Sequence, residues 1–258
     1  MVRRRKGDRM KVDKYVFKRH EIKYKLTPAQ YVFVLQAISK YLSADEYGET
    51  TIQSLYYDTD NYRLIRESIE RPVYKEKLRA RSYGLATPDQ KVFLELKKKC
   101  DKVVFKRRIS ILERELTPFV VWGIGADKGQ IEKEIRYFCC FYEGVKPSML
   151  LLYDRTAYTQ KESDLRITFD RNIRYRTDRL SLCAGLDGTL LLPQGEVMME
   201  IKTSGAYPKW LVDLLNENKI YKTSFSKYGT AYQIEQKKQS EEKMKKLQEL
   251  YEILVKNP

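Results

Sequence analysis

Between Tyr74 and Tyr83 the chain reads Tyr-Lys-Glu-Lys-Leu-Arg-Ala-Arg-Ser-Tyr. Side chains on a strand point alternately to opposite faces. Lys75, Lys77, Arg79 and Arg81 therefore stand in one row, backed by Tyr74, Glu76, Leu78 and Ala80. Four like charges in a row repel one another unless something anionic or acidic lies opposite. The chemistry open to such a row is anion binding: guanidinium forks grip phosphate oxygens in pairs, and ammonium groups act as point charges. A solvated sheet face could carry one such row, so repetition decides.

The pattern recurs. Arg19, Glu21, Lys23 and Lys25 alternate with His20, Ile22, Tyr24 and Leu26. Phe93, Glu95, Lys97 and Lys99 alternate with Val92, Leu94 and Leu96, and Lys102, Lys106 and Arg108 stand opposite Val103, Phe105 and Ile109. An apolar strand over Met149–Tyr158 contains Asp154-Arg155. Arg166, Thr168 and Asp170 face away from Leu165, Ile167 and Phe169, with Arg174 and Arg176 following, and Met198, Glu200 and Lys202 share a face.

Helices are needed to cover the apolar backs of these strands. Thr27-Pro28 predicts a helix start, a hydroxyl cap followed by proline at the first helical position. Tyr31, Val34, Leu35, Ile38, Tyr41 and Leu42 follow as one apolar stripe. Thr51–Tyr57 predicts a strand, and Asp60 to about Ile69 a short helix. Leu116–Gly144 predicts two helical pieces interrupted around Gly123–Gly129, and Pro208–Asn216 another helix with Trp210, Leu211, Leu214 and Leu215 on its inner face. Trp122, Trp210 and most tyrosines are expected in the core or covering strands, and His20 as an outward packing residue. Ser226-Lys227-Tyr228-Gly229 is expected to precede a charged C-terminal helix with Met244, Leu247, Leu250, Tyr251 and Leu254 along one edge.

The 258 residues carry 50 Lys and Arg against 35 Asp and Glu, a formal net charge of +15. Such an excess points to a polyanionic partner. With four cysteines in no C-x-x-C spacing and one histidine, no familiar zinc site is available. There is no G-x-x-x-x-G-K-[ST] loop, no apolar run of about 18 residues for a membrane span and no apolar signal core. A soluble, cytoplasmic chain with free thiols is expected. The domain boundaries read as a basic arm over residues 1–14, one domain over 15–235 and a C-terminal helix over 236–258 packed on it. Stacked nucleic acid wants aromatics among the cations, but most aromatics (Tyr24, Phe105, Phe169) fall opposite them, although Phe93 does not. Sequence-specific nucleic-acid binding is not expected.

Charges so lopsided on several strands favour an α+β architecture in which antiparallel strands close into a barrel with a polar lumen. Amphipathic helices would cover its apolar outside, and closure would remove unpaired edges. The lumen would hold a polyphosphate-like anion with a divalent metal on its few acids.

Seven segments in order carry a resemblance: Glu21-Ile22-Lys23-Tyr24-Lys25, Lys77-Leu78-Arg79-Ala80-Arg81-Ser82-Tyr83, Phe93-Leu94-Glu95-Leu96-Lys97, Tyr153-Asp154-Arg155, Leu165-Arg166-Ile167-Thr168-Phe169-Asp170, Met199-Glu200-Ile201-Lys202 and Phe225-Ser226-Lys227-Tyr228-Gly229. Together, over about Tyr15 to Tyr232, they resemble the polyphosphate polymerase domain of the vacuolar transporter chaperone (VTC) family, a branch of the triphosphate tunnel metalloenzymes. The resemblance implies a closed tunnel of eight antiparallel strands. It also implies transfer of the terminal phosphoryl of ATP to a growing polyphosphate chain, releasing ADP, with Mn²⁺ or Mg²⁺. Arg79, Arg81, Lys97, Arg155, Arg166 and Lys227 would hold the reacting phosphates. Lys23, Lys25, Lys77, Lys106, Arg108 and Lys202 would be further phosphate contacts. Glu200 would hold the metal, with Glu95 and Glu21 beside it, and delivery through a membrane partner is open. The superfamily's Glu-x-Glu-x-Lys motif reads here Glu21-x-Lys23-x-Lys25. That departure favours the polymerase branch over a triphosphatase acting on tripolyphosphate or nucleoside triphosphate; a non-catalytic polyphosphate or RNA binder is the remaining alternative.

Overall fold

The alternating segments become strands of one antiparallel sheet in the computed structural model, which describes residues 20–101, 103–125, 129–160 and 163–256. The expected arm over 1–14, the start of the first alternating strand through Arg19, Lys102 and the side chains of Leu250 and Leu254 lie outside the description. In chain order the elements are β1 (His20–Leu26), α1 (Pro28–Ile38), β2 (Ser43–Ala44), β3 (Thr50–Asp58), α2 (Arg63–Ile69), β4 (Tyr74–Tyr83), β5 (Lys91–Cys100) and β6 (Val103–Leu112). A 3₁₀ turn at Glu113–Glu115 leads to α3 (Leu116–Trp122), α4 (Gln130–Tyr142), β7 (Lys146–Thr159), β8 (Arg166–Arg176) and β9 (Thr189–Leu190). Then come β10 (Val197–Thr203), α5 (Lys209–Glu217), β11 (Lys222–Thr223) and α6 (Lys227–Lys256). The Ser226–Gly229 stretch therefore does not precede the last helix; Lys227 is its first residue.

The strand order is β11-β1-β10-β8-β7-β3-β4-β5-β6, with β2 on β7 and β9 on β8. Eight of these strands are seven residues or longer, but they do not close into the expected barrel. The reason is local. The outer edge of β1 is taken by β11, through Lys23 opposite Thr223 and Tyr24 opposite Lys222, so β6 finds no free edge there. The sheet instead curls until Glu21 and Lys23 of β1 and Val104 and Lys106 of β6 line one cavity. The unpaired edge of β6 carries charge, as exposed edges usually do.

Alternation sorts the two faces. On the convex side Leu55, Leu78, Ala80, Leu94, Leu96, Leu150 and Leu152 pack under α3 and α4, which bury Phe119, Ile135 and Phe138. Tyr24, Leu26, Ile167, Phe169, Met199 and Ile201 pack under α1 and α5. The α1 start is as expected: Thr27 accepts from the Gln30 N–H at 3.2 Å while Gln30 Oε1 accepts from the Thr27 N–H at 3.0 Å, a capping box. A third cluster lies on the concave side, where Met149, Leu151, Tyr153, Tyr175 and Met198 meet Ile65 of α2 and Tyr228 and Ala231 of α6.

Asp58 joins α2 to α6. It caps α2 by accepting from the Leu64 and Ile65 N–H groups at 2.9 and 3.0 Å, and its Oδ2 accepts from the Tyr228 hydroxyl at 2.8 Å. Trp122, expected inside, is 64% exposed, and His20 is exposed; Met244, Leu247 and Tyr251 on α6 are exposed as well. All four cysteines are free. Among the described residues no helix is long and apolar enough to cross a membrane.

Candidate functional site: a cationic cleft on the concave face

The curl of the sheet collects the charged rows around a cavity of about 340 Å³ lined by nine Lys and Arg side chains against three Glu. From β4 come Lys77, Arg79 and Arg81; from β5, Glu95 and Lys97; from β6, Lys106. Arg155 comes from β7, Glu200 and Lys202 from β10, Glu21 and Lys23 from β1, and Lys227 from the first turn of α6. Lys75, at the outer end of the opening row, is drawn away instead and donates to the Ser68 carbonyl at 3.1 Å.

Two buried carboxylates organise these cations. Glu95 accepts from Arg79 Nε at 2.9 Å and from Arg108 Nε at 2.7 Å, and pairs with Lys106 Nζ at 2.8 Å. Asp170 accepts both Nε and Nη2 of Arg155, at 2.6 and 2.8 Å, and the Lys227 ammonium at 2.5 Å. Burial pushes both carboxyls up, but Arg79, Arg81 and Lys106 around Glu95, and Lys227 and Arg155 around Asp170, outweigh it and hold each below the usual carboxylate range.

Among the described residues, other cations face the cavity without a paired carboxylate. Arg81 donates to the hydroxyls of Ser54 at 3.4 Å and Tyr153 at 3.3 Å. Lys77 stands directly opposite Lys97, and Lys97 opposite Lys106, so three lysines line up across three neighbouring strands. Like charges in that register are destabilising. Lys77 and Lys97 have no ion-pair partner among the described residues. Burial, then Lys75 and Lys97 nearby, bring the Lys77 ammonium down to about 8. Burial lowers Lys97 as well.

Tyrosines complete the wall. Tyr56 stacks on Tyr228 with ring centres 4.5 Å apart and accepts from Arg79 Nη1 at 3.2 Å. Burial pushes its phenol up, but Arg79, Lys77 and Arg81 outweigh that and bring it to about 7. Tyr153 receives Arg81 on its hydroxyl and carries Lys227 over its ring at 4.6 Å.

Three expected site residues lie elsewhere. Lys25 is half exposed and pairs with Glu196 at 3.2 Å; it shares a strand face with Lys23 but lies beyond the cavity. Arg166 pairs with Asp45 at 3.0 Å, and it and Arg108 line an adjoining cavity of about 570 Å³. Tyr56, Tyr153, Ser54 and Asp170 were not expected in the site. Their signal was available in part: Ser54 and Tyr56 alternate with Leu55 and Tyr57, and Asp170 shares its parity with Arg166.

The carboxylates differ as metal ligands. Glu95 is saturated by cations. Glu200 meets Lys202 at 2.9 Å, the same ammonium lies 3.7 Å from Glu21, and Glu200 is held below its usual range despite burial, with Lys202 contributing most to that fall. Among the described residues no group of three acidic, His or Cys side chains converges. Glu200 and Glu21 line the same cavity, and two carboxylates with phosphate oxygens and water are a donor set that suits a hard divalent cation.

The VTC domain model matches residues 18–236. The chain belongs to the VTC domain family. That span takes in all eight long strands and the first turns of α6. Solved structures similar to this VTC domain include a Hippeastrum protein described as an adenylyl cyclase with a dominant triphosphatase activity: TM-score 0.49, 18% identity, 81% of this chain and 92% of that one. Others are candidate adenylate cyclases from Bacillus halodurans (TM-score 0.47, 13% identity, 81% and 95% covered) and Vibrio parahaemolyticus (0.44, 11%, 84% and 98%). No curated protein sequence matches the chain at a significant level.

Proposed function

We propose that the cleft binds the triphosphate of ATP and the end of a polyphosphate chain, and transfers the terminal phosphoryl of ATP to that chain with release of ADP. The observation that carries this reading is the set of lysines in register, Lys77, Lys97 and Lys106, beside Arg81, which among the described residues is bonded to the hydroxyls of Ser54 and Tyr153. Such an array is costly when empty and is relieved by a linear polyanion lying across the strands.

In the reaction a terminal oxygen of the polyphosphate attacks the γ-phosphorus of ATP. The bond to the β,γ-bridging oxygen breaks, and its electron pair leaves with ADP. The attacking oxygen is already anionic, so no base is required. This suits a site whose Glu95 and Glu200 are tied to cations and held ionised. Arg79, Arg81 and Arg155 would align the phosphates and offset charge on the transferring oxygens, the main contribution protein groups make to phosphoryl transfer. Glu200 and Glu21 would hold Mn²⁺ or Mg²⁺, which would supply charge neutralisation to the bound phosphates.

A second reading, hydrolysis of tripolyphosphate or a nucleoside triphosphate, is favoured by Glu21 and Glu200, which share the Lys202 ammonium and line the same cavity, so that two carboxylates are offered to a metal. Incubation with ATP and Mn²⁺, followed by gel separation, distinguishes the two. Polyphosphate together with ADP is the expected result. Free phosphate without polymer selects hydrolysis, and tight polyphosphate binding without turnover selects a binding module.

A further inference from the structure

The outer edge of β6 is a surface of a different kind. β6 pairs with β5 over Val103–Leu112, and its other edge has no strand beside it among the described residues. Native edges are kept short, interrupted by proline or a bulge, or charged. β6 runs for ten residues without proline or glycine, and its charge is confined to Lys106, Arg107 and Arg108. Val103, Val104 and Phe105 before them are about half exposed. A backbone edge of this length beside uncovered apolar side chains is a template for one more strand.

The charges on β6 indicate which strand. Lys106 and Arg108 share a face and share the Glu95 carboxylate with Arg79, three cations on one acid. Phe105, Arg107 and Ile109 point the other way, and Arg107 meets Glu134 of α4 at 2.9 Å. A second copy of β6 fits this edge poorly. Paired antiparallel over its full length, Arg107 of each copy would stand opposite Arg108 of the other, and like charges directly opposite are destabilising. A strand of alternating acidic and apolar residues fits both faces, with carboxylates beside Lys106 and Arg108 and apolar groups against Phe105 and Ile109.

We propose that the β6 edge docks an acidic, extended segment of a partner protein, added to the sheet as a further strand. Lys106 also lines the cleft, so the docked carboxylates stand at the cleft rim. The docking itself does not depend on the reaction carried out in the cleft.

The probe is a capped, fluorophore-labelled peptide of alternating Glu and Val, as long as β6, titrated into the whole chain and followed by anisotropy. Saturable binding is expected, with hydrogen exchange slowed at the β6 amides. Replacing two central valines of the peptide by proline keeps its charge but removes two edge donors, and is expected to weaken binding by roughly tenfold or more. Phe105→Ser is expected to weaken the peptide by roughly fivefold while tripolyphosphate binding holds, and Phe105→Tyr to keep it. Failure of the wild type to bind, equal binding of the proline peptide, or unaltered exchange at β6 would overturn the added strand. A dimer of the free protein that Phe105→Ser dissolves would assign the edge to a second copy and overturn it as well.

Discussion

Two carboxylates, Glu95 and Asp170, each gather cations on the concave face, yet they do so in different surroundings. Both are only 1% exposed at the side chain. Around Asp170 the partners are also enclosed, Arg155 at 18% and Lys227 at 16% exposure. Around Glu95, Arg108 and Lys106 are 36% and 45% exposed, and Arg79 is 24%. A buried ion pair depends on its geometry, because removal of one member strands the other in a poor solvent. A partly exposed cation has water as an alternative. The Asp170 group is thus a fixed frame for Arg155 and Lys227, whereas Glu95 holds its outer cations in a state that an arriving phosphate can exchange.

The largest effect is expected where the cleft loses two guanidinium forks at once. Arg79→Ala with Arg81→Ala should weaken tripolyphosphate binding by roughly 10²–10⁴-fold, taking about 1.5–3 kcal/mol for each charged hydrogen bond. Calorimetric titration measures the loss, and an unchanged circular dichroism spectrum shows that the fold persists. Retained affinity would separate the arginines from the site.

The comparison itself is sharpened by Asp170→Asn and Glu95→Gln. Asp170→Asn should lower stability by about 3–5 kcal/mol, the usual cost of breaking a buried pair, and Glu95→Gln should cost less in the same urea titration. Because the Asp170 carboxyl is lower in the folded state, its stabilisation is present above the ordinary carboxylate range and is lost as pH falls through the folded value. The acid-side loss of stability should therefore be shallower in Asp170→Asn. Glu95→Gln should bind tripolyphosphate about threefold to fivefold more tightly, since a competing partly exposed ion pair worth up to ~1 kcal/mol is gone. Weaker binding in Glu95→Gln would show that its cations need the carboxylate for their placement, as those of Asp170 do.

A moderate effect should follow pH. With Tyr56 near 7 and Lys77 near 8 in the free protein, raising pH from 6 to 9 adds a negative charge and removes a positive one beside the phosphates. Tripolyphosphate affinity should fall across that window. In Tyr56→Phe with Lys77→Arg neither group titrates there, so the fall should shrink.

The smallest effect belongs to Lys25. Lys25→Ala should leave anion affinity within about 0.5 kcal/mol of wild type, as surface substitutions away from a site usually do, whereas Lys23→Ala should weaken it measurably. Equal losses would place Lys25 in the cleft after all.

Much of the fold was legible in the alternation itself. Lys77, Arg79 and Arg81 against Leu78 and Ala80, or Glu200 and Lys202 against Met199 and Ile201, reveal which side chains share a face, because the two-residue period is a property of one strand. The Thr27-Pro28 start of α1 and the Gly123–Gly129 break between α3 and α4 were legible for the same local reason. Closure was not. It depended on whether β11 or β6 reached the outer edge of β1, and those segments are far apart in the chain.

The site divides along the same line. By itself the sequence determined the chemistry: cationic rows of one parity, a surplus of Lys and Arg, and few acids to match them. Only tertiary structure decided which acid meets which cation. Glu95 was expected beside a metal and instead sits among Arg79, Lys106 and Arg108, while Asp170 anchors Arg155 and Lys227. Lys25 keeps the parity of Lys23 yet leaves the cleft. Periodicity specifies the face of a strand, but curvature and register set depth along it, and both arise from contacts between residues distant in sequence.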